Sequence, residues 1–366
     1  MFKNLVTVIA AACCLSPAFS ADATPLKVGF VYVTPLTDAG WVRQHDQGRK
    51  ALEAALNGPG AAPRRVETVY VENVAEGPDA ERVIRDLALQ GCKLIFTPSF
   101  GYMEPTLKVA AEFPSVRFES ITGYKTASNV AVANARYYEG RYLAGVAAGH
   151  MSRSGSAGYV AGFPIPEVLQ GINAFTLGMR SVNPRAQIKL IWLDTWFDPA
   201  RERDAAMTLI NQNADVLAFH TGSNAVMVAA EERGKMAVAY HSDMRKVAPQ
   251  AQIISVTHEW GAYYTRRARA VLEGSWRSGS VWGGVREGMV RVGDFGPQVP
   301  PKVRQDVLAR QRDIAAGRLH PFSASGHAIL DNQGKTVVVK GKTPSDAELQ
   351  SMHWLAEGVQ GGLPPR

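Results

Sequence analysis

The chain has 366 residues, of which 46% are apolar and 20% are charged, a composition typical of a globular protein long enough for two lobes. The formal net charge is +7, but lysine and arginine are scattered, with no run of like charge and no basic helix interleaved with aromatic residues. This distribution argues against nucleic-acid binding and leaves a basic surface that would allow weak peripheral association with an anionic membrane.

Residues 1–20 have the pattern of a cleaved secretory signal peptide. A single lysine precedes an apolar run over residues 5–14, and small residues stand before the cleavage point after Ser20. The apolar run is too short to span a bilayer, so the sequence predicts an exported, periplasmic protein. Cys13 and Cys14 raise lipoprotein anchoring as a rival, which the absence of a leucine at the usual place before Cys13 disfavours.

Beyond the signal peptide, short β-branched runs alternate with helical patterns. The predicted strands are Lys27 to Tyr32, Arg65 to Val71, Leu94 to Thr97, Arg117 to Ser120, Ala157 to Ala161, Ile188 to Leu193, Val216 to His220, Met236 to Tyr240 and Ile253 to Val256. The predicted helices are Gln47 to Leu56, Ala80 to Gln90, Glu104 to Phe113, Tyr138 to His150, Ile165 to Val182, Pro199 to Gln212, Asn224 to Arg233 and Gly261 to Leu272. Apolar strands that are each followed by a helix predict a doubly wound α/β architecture of parallel sheets covered on both faces.

The order of the elements favours two sheets of similar size over one large sheet. The first four strands end near Asn134, and a long helix then leads to a second series of strand-helix units. Ligands of such sheets bind outside the carboxyl ends of the strands, so two facing sheets would share one cleft. In the tail, residues 328–330 and 336–339 predict a hairpin, followed by a helix near residues 346–355.

Aromatic and single polar side chains follow nearly every predicted strand. Aromatic rings flank planar heterocycles, and carboxylates accept hydrogen bonds from their N–H groups. The candidates are Asp38 and Trp41 after the first strand, Phe100 and Tyr102 after the third, Asp194 and Trp196, then His220 and Thr221, His241 and Asp243, and finally His258, Glu259 and Trp260.

Structural roles compete with ligand binding at several of these positions. Trp196 could only seal its lobe, since tryptophan is usually buried wherever it lies. Asp198 precedes Pro199 and is expected to cap the next helix, and Asp38 could cap the helix that starts near Trp41.

Motifs for catalysis and cofactors are absent from the sequence. There is no nucleophile elbow, zinc-protease helix, paired Cys-x-x-Cys or phosphate loop, and the dispersed histidines predict neither a metal nor a cofactor site. The protein is therefore expected not to be an enzyme. A secreted nucleoside-cleaving enzyme remains the alternative, because Asp38 with Asp243 or Glu259 could act as acid and base across a cleft.

Several motifs together resemble the basic membrane protein family, the substrate-binding components of ABC importers that include bacterial purine nucleoside receptors. The resemblance covers nearly the whole mature chain. It rests on Val28-Gly29-Phe30, Asp38-Ala39-Gly40-Trp41, Phe96 to Tyr102, Tyr138 to Gly145, Gly171 to Phe175, Trp196 to Pro199, Glu259-Trp260-Gly261 and the tail from Gly334 to Val359.

The resemblance implies a type I periplasmic-binding fold, with two Rossmann-like lobes, a hinge and a central ligand cleft. The first lobe would comprise residues 27–135 and about 257–285, and the second would comprise residues 136–256 and about 286–320. Residues 321–366 would form a C-terminal extension. The implied partners are a small-molecule purine and the membrane permease subunits of the importer.

The resemblance also implies roles for individual residues. Trp41 and Trp196 match the two aromatic residues that stack on the purine, and Asp243 matches the acid that binds its ring. The remaining implied contacts are Phe100 and Tyr102, which would line the first lobe, and the polar groups of Asp38 and Gln44 beside the ligand. Thr221, Glu259 and Trp260 join this set as neighbouring strand-end residues.

One departure from the family bears on the ligand. Nucleoside receptors of the family carry a lysine near the ribose, where this chain reads Thr257-His258-Glu259-Trp260, and the indole would occupy space that a sugar needs. The sequence therefore predicts a free purine base, with adenine as the first candidate. A nucleoside receptor, a flavin receptor and a sensor that does not import remain alternatives.

Overall fold

The computed structural model describes residues 24–58 and 65–364, so the predicted signal peptide lies outside the described residues. Within these ranges, none of the helices combines the length and apolar character needed to cross a membrane.

The first lobe is built on a six-stranded sheet. Its elements in the first part of the chain are β1 (Leu26–Val31), α1 (Trp41–Asn57), β2 (Val66–Val71), α2 (Pro78–Leu89), β3 (Leu94–Pro98), α3 (Met103–Glu112), β4 (Arg117–Ile121) and β5 (Val130–Ala135). Every strand pair in this sheet is parallel. β1 lies between β2 and β3, and its residues Val28 and Phe30 are fully buried. Burial on both faces explains why β1 reads as an apolar run.

The second lobe is built on a seven-stranded sheet. Its main elements are α4 (Tyr137–Met151), β6 (Ser156–Ala161), α5 (Pro166–Arg180), β7 (Gln187–Trp192), α6 (Pro199–Asn211), β8 (Val216–His220), α7 (Ala225–Glu232), β9 (Met236–His241) and β10 (Gln252–His258). The spatial order β10-β9-β8-β6-β7 is parallel throughout. Asp198 caps α6 by accepting a hydrogen bond from the Arg201 backbone N–H at 3.0 Å, as predicted.

After β10 the chain returns to the first lobe and then crosses once more. The elements are α8 (Gly261–Leu272), β11 (Ser280–Gly283), β12 (Val290–Gly293) and α9 (Pro301–Ala315). β11 pairs with β5 in the first sheet, and β12 pairs antiparallel with β10 in the second. The chain thus passes between the sheets three times, after β5, β10 and β11.

The tail packs on the second lobe. It contains β13 (Ile329–Leu330), β14 (Thr336–Val338), α10 (Asp346–Gln350) and β15 (Val359–Gln360). β13 and β14 form the predicted hairpin, and α10 is shorter than the helix predicted for residues 346–355. β15 adds a parallel edge strand to β7. The buried Asn173 of α5 fixes the segment before β15, donating to Trp354 O at 2.8 Å and accepting from Ala356 N at 2.7 Å.

The predicted α/β class and the type I periplasmic-binding architecture are confirmed. Every predicted strand and helix is present, although α1 begins at Trp41 and not at Gln47 and α10 ends at Gln350, but the sequence patterns missed β5, α9, β11, β12 and β15. Four of the five are strands. β5 is rich in alanine, and β11, β12 and β15 have four residues or fewer, so none offers a long β-branched run to recognise.

Candidate functional site

A cavity lies between the two lobes at the carboxyl ends of their strands, the place where open α/β sheets bind ligands. The space not filled by atoms amounts to about 470 Å³, including its opening to solvent. The first lobe contributes Val33, Thr34, Trp41, Ser99, Phe100 and Thr122. The second lobe contributes Ile165, Glu167, Trp196, His220, Thr221, Gly222 and His241.

Trp41 forms the wall on the side of the first lobe. It is the first residue of α1, and its indole Nε1–H donates to the carbonyl oxygen of Pro98 at 2.8 Å. The rings of His45 and His241 meet it edge-on, with centroid separations of 4.3 and 5.5 Å. These contacts fix the orientation of the indole before any ligand arrives, so little side-chain entropy remains to be lost on binding.

Trp196 forms the opposing wall on the second lobe. It lies in the loop between β7 and α6, where Phe163 packs edge-on against it at 4.9 Å between ring centroids. Its Nε1–H donates across the lobes to Oε1 of Glu76 at 3.3 Å. The same oxygen accepts from Ser99 Oγ and from Gly101 N, so Glu76 connects Trp196 to the loop that carries Phe100.

Further contacts between the lobes lie beside Trp41. Ser242 of the second lobe accepts hydrogen bonds through Oγ from the Gly40 backbone N–H at 3.1 Å and from Gln44 Nε2 at 3.0 Å. The Cα of Gly40 lies against the backbone of Gly222, where a Cβ would overlap the Gly222 carbonyl oxygen. Together with the bond between Trp196 and Glu76, these contacts describe a closed arrangement of the lobes.

Glu167 is the carboxyl group of the cavity. It lies in the first turn of α5 with 11% of its side chain exposed, and Asn134 Nδ2 donates to its Oε2 at 3.0 Å. Burial raises the pKa of Glu167 to about 7, an effect that the Asn134 hydrogen bond and Arg141 oppose. The group can therefore accept a hydrogen bond when ionised or donate one when protonated.

His220 lies 3.7 Å from Glu167 between Nε2 and Oε1. Burial, together with the charge of Arg141, lowers the pKa of His220 well below 6.5. A neutral imidazole carries no charge, so we treat this contact as polar packing and not as an ion pair.

Two cavity residues have unusual backbone conformations. Thr122, which follows β4, and His241, which ends β9, have φ angles of 68° and 66°. Non-glycine residues rarely occupy this left-handed region, and such strain is concentrated at functional sites.

Of the ten residues assigned to the ligand site from the sequence, the cavity contains Trp41, Phe100, Trp196 and Thr221, and the strand-end candidates His220 and His241 also line it. The Thr221 hydroxyl is already engaged, since it donates to Oε2 of the buried Glu202 at 2.7 Å. Its contribution to the cavity is therefore shape and not a free hydrogen-bonding group.

Four further predicted residues lie in a separate, more open depression between the lobes: Asp38, Gln44, Asp243 and Glu259. Asp243 is paired with Arg245 at 2.6 Å, and Glu259 with Arg291 at 3.1 Å. Asp38 is exposed. The alternative that Asp38 caps α1 is wrong, because Gly40 holds the N-cap position and no side chain bonds there.

The last two predicted residues lie in the core, away from the cavity. Tyr102 is fully buried, with its hydroxyl donating to Val74 O. Trp260 is 1% exposed and stacks on His45 and Tyr264. The expectation that the Trp260 indole fills space beside the ligand does not fit this position.

Sequence reasoning missed Glu167. The signal was available, because Glu167 follows β6 within a few residues and the strand-end rule that selected the other candidates applies there as well. Within the described part of the chain, no group of three or more histidine, cysteine or carboxylate side chains is arranged to hold a metal ion.

Comparisons with known proteins agree with this architecture. The model of the family described as ABC transporter substrate-binding protein PnrA-like (Bmp) matches residues 26–318. The chain is 48% identical to a purine-binding protein of Brucella abortus, over 93% of this chain and 94% of the relative. It is 34% identical to a candidate ABC transporter glucose-binding protein of Haloferax volcanii, over 94% of this chain and 83% of the relative.

Solved structures show the same fold. An ABC transporter solute-binding protein from Aeropyrum pernix K1 superposes with a TM-score of 0.68 at 19% identity, covering 89% of this chain and 98% of that one. A counterpart from Conexibacter woesei gives a TM-score of 0.66 at 20% identity, covering 81% of this chain and 98% of that one. The lobes, the cavity between them and the match over most of the sequence lead to one conclusion: this chain belongs to the Bmp family of PnrA-like ABC transporter substrate-binding proteins.

Proposed function

We propose that this protein is the periplasmic substrate-binding component of an ABC importer, and that it captures a free purine base, with adenine as the first candidate, for delivery to the permease. The observation that carries the proposal is the pair of indoles, Trp41 and Trp196, on opposite lobes of one cavity that also holds the carboxyl of Glu167. A planar base would lie between the indoles. Similarity to the purine-binding protein of Brucella abortus supports the same ligand class.

The energetics of such a site are adequate for a receptor. Stacking of a base on an aromatic side chain contributes about 1–3 kcal/mol per face. A hydrogen bond to a charged group adds about 1.5–3 kcal/mol. After the cost of association, micromolar or tighter binding follows.

The assignment of the polar contact differs from the one made from sequence. The resemblance to the family implies that Asp243 binds the purine ring, but Asp243 is paired with Arg245 outside the cavity. We propose Glu167 in its place, because it is the carboxyl that lines the cavity between the indoles.

A nucleoside is the second candidate ligand. An adjoining depression, with about 1390 Å³ of empty volume that includes open solvent, shares Phe100, Thr122 and Glu167 with the cavity and extends toward Trp282 and α10. That space could hold a sugar attached to the base. The preference for a free base now rests on the missing lysine alone, since Trp260 lies in the core.

An enzymatic role receives no support from the geometry. The carboxylates considered as acid and base, Asp38, Asp243 and Glu259, lie in the open depression, and two of them are paired with arginines. A glycosidic acid and base must flank the reacting bond. We propose that the protein binds its ligand and releases it unchanged.

Ligand capture would proceed by closure of the lobes about the three crossings between the sheets. We propose that the lobes follow the division expected from sequence, residues 27–135 with about 257–285 and residues 136–256 with about 286–320. A ligand that contacts both indoles stabilises the closed state, which the permease would recognise.

Mass spectrometry of the small molecules released on denaturing freshly purified protein tests the proposal. A purine is expected, and recovery of a hexose would replace the purine proposal with a sugar receptor like the one named for the Haloferax relative. Incubation of stripped protein with adenosine separates receptor from enzyme. Release of free adenine would contradict a pure receptor.

A further inference from the structure

A chain of three hydrogen-bonded rings runs from the core to the cavity. The Nε1 of Trp260 lies 2.6 Å from Nδ1 of His258, and Nε2 of His258 lies 3.0 Å from Nδ1 of His241. His241 lines the cavity, whereas Trp260 and His258 are buried behind it. Within residues 24–58 and 65–364, no protein group bonds the remaining ring nitrogen, Nε2 of His241.

The chemistry of the indole fixes the protons along this chain. An indole N–H can only donate, so Nδ1 of His258 must accept, and the proton of this neutral imidazole must be on Nε2. That N–H donates to Nδ1 of His241, which leaves the proton of His241 on its own Nε2. If Nδ1 of His258 carried the proton instead, two N–H donors, those of Trp260 and His258, would face each other at 2.6 Å without an acceptor between them.

Both imidazoles are neutral in this environment. Burial, with an unfavourable electrostatic interaction with His220, lowers the pKa of His258 to about 3. Burial also lowers the pKa of His241 well below 6.5, with His258, His220, Arg141 and His45 adding to the effect. Each ring therefore carries a single proton at neutral pH, as the argument on tautomers requires.

We propose that Trp260 and His258 act as positioning residues that make His241 a hydrogen-bond donor into the cavity, and that this donor reads an acceptor nitrogen on the ring of the ligand. The identity of the ligand in this inference rests on the proposed function. The tautomers of His258 and His241 do not depend on which ligand is bound. A purine presents acceptor nitrogens at its edge beside N–H donors. Glu167, when ionised, would accept from those donors, so the two residues read complementary groups.

The direct test is nitrogen-15 NMR of ¹⁵N-histidine-labelled protein at pH 7 without ligand, in which long-range couplings report which ring nitrogen carries the proton. Both His258 and His241 are expected as the Nε2–H tautomer. Finding His241 with its proton on Nδ1 would overturn the proposal, whatever the protein binds.

Binding of adenine, 1-deazaadenine, 3-deazaadenine and 7-deazaadenine tests the reading of the ligand. Of the three analogues, the one that lacks the nitrogen bound by His241 should bind about tenfold more weakly than adenine, which corresponds to the loss of one hydrogen bond. In Trp260→Phe, which removes the fixing N–H, this discrimination should shrink. Trp276→Phe is the matched control, since it removes an indole N–H that bonds Glu119 at 2.7 Å away from the cavity.

The outcomes separate the two proposals. If every analogue binds the wild-type protein as tightly as adenine, His241 does not read a ring nitrogen and the inference fails while the purine proposal stands. If no purine binds but both histidines are Nε2–H, the purine proposal fails, and the donor at His241 remains as a constraint on the true ligand.

Discussion

At the scale of single residues, the site depends on side chains whose orientation the protein fixes in advance. Trp41 is held by Pro98 O, and Trp196 by Glu76. An indole bound through its N–H offers its flat face to a ligand without competing for the polar groups of that ligand. This division of roles explains why stacking, and not hydrogen bonding, is expected to dominate the affinity.

The first prediction concerns Trp196. Trp196→Ala should weaken adenine binding by about 1–3 kcal/mol, because it removes one stacking face. Trp192→Ala is the matched control, since Trp192 ends β7, just before the loop that carries Trp196, but bonds Gly362 O and does not line the cavity. Isothermal titration calorimetry measures both variants. Equal affinity in wild type and Trp196→Ala would remove Trp196 from the site.

The second prediction concerns Glu167, whose pKa is raised from 4.5 to about 7 by burial. Because the folded state binds this proton more tightly than the unfolded state, protonation of Glu167 stabilises the folded protein. This stabilisation is lost as pH rises from about 4.5 to 7. Relative to Glu167→Gln, the wild type should lose up to about 3 kcal/mol of unfolding free energy over this window.

Urea unfolding of the ligand-free protein at a series of pH values measures that difference. Subtracting the unfolding free energy of the variant from that of the wild type cancels the contribution of the buried histidines. Their lowered pKa values have the opposite effect and favour folding as pH rises. A pH-independent difference for Glu167→Gln would show that the carboxyl ionises in the folded protein as it does in water.

The residue scale also shows where sequence reasoning works and where it stops. Trp41 and Trp196, which line the cavity, could be selected from the sequence because aromatic residues that follow strands are visible there. Asp243 lies in the open depression and pairs with Arg245, a position set by the packing of the two lobes, which the sequence does not show. The position of Glu167 at the start of α5 was visible in the sequence, but its burial beside the cavity was not.

At the scale of elements, the tail depends on one buried side chain of α5. Asn173 is fully buried and satisfies both Trp354 O and Ala356 N, so Asn173→Ala would leave two buried backbone groups without partners. We expect a loss of about 2–4 kcal/mol in unfolding free energy. Asn211→Ala, at an exposed position on α6, should change stability by less than about 0.5 kcal/mol.

Limited proteolysis provides the readout specific to the tail. In Asn173→Ala, cleavage between residues 321 and 364 should become faster than in wild type, because β15 loses its anchor beside β7. Unchanged protection of that segment would mean that the hairpin and α10 hold the tail without Asn173.

Elements also mark the limits of prediction from sequence. Strands such as β1 can be predicted from the sequence, because burial on both faces of the sheet requires a continuous apolar run. β11 and β12 have four residues each and exist because the chain crosses between lobes there. Their presence follows from the topology of the whole fold and not from local propensity.

At the scale of the whole molecule, closure depends on the absence of a side chain at Gly40. The residue has φ +92°, and a Cβ would overlap the carbonyl oxygen of Gly222 on the other lobe. Gly40→Ala should therefore hinder closure and weaken adenine binding by at least about tenfold, or 1.4 kcal/mol.

Gly77→Ala separates closure from backbone strain. Gly77 also caps a helix with a φ of +91°, but a Cβ on this residue would have no other atom within 4 Å. Both variants should lose about 1–3 kcal/mol of stability from strain, while only Gly40→Ala should lose affinity. Small-angle scattering should show no compaction of Gly40→Ala with adenine. Compaction equal to that of wild type would contradict this account of closure.

The most direct test of the central claim is a calorimetric titration of adenine into wild-type protein that has been unfolded, stripped of ligand and refolded. We expect one adenine bound per chain with micromolar or tighter affinity, and no binding of glucose. Saturable binding of glucose without binding of any purine base or nucleoside would contradict the assignment of the cavity between Trp41 and Trp196 to a purine.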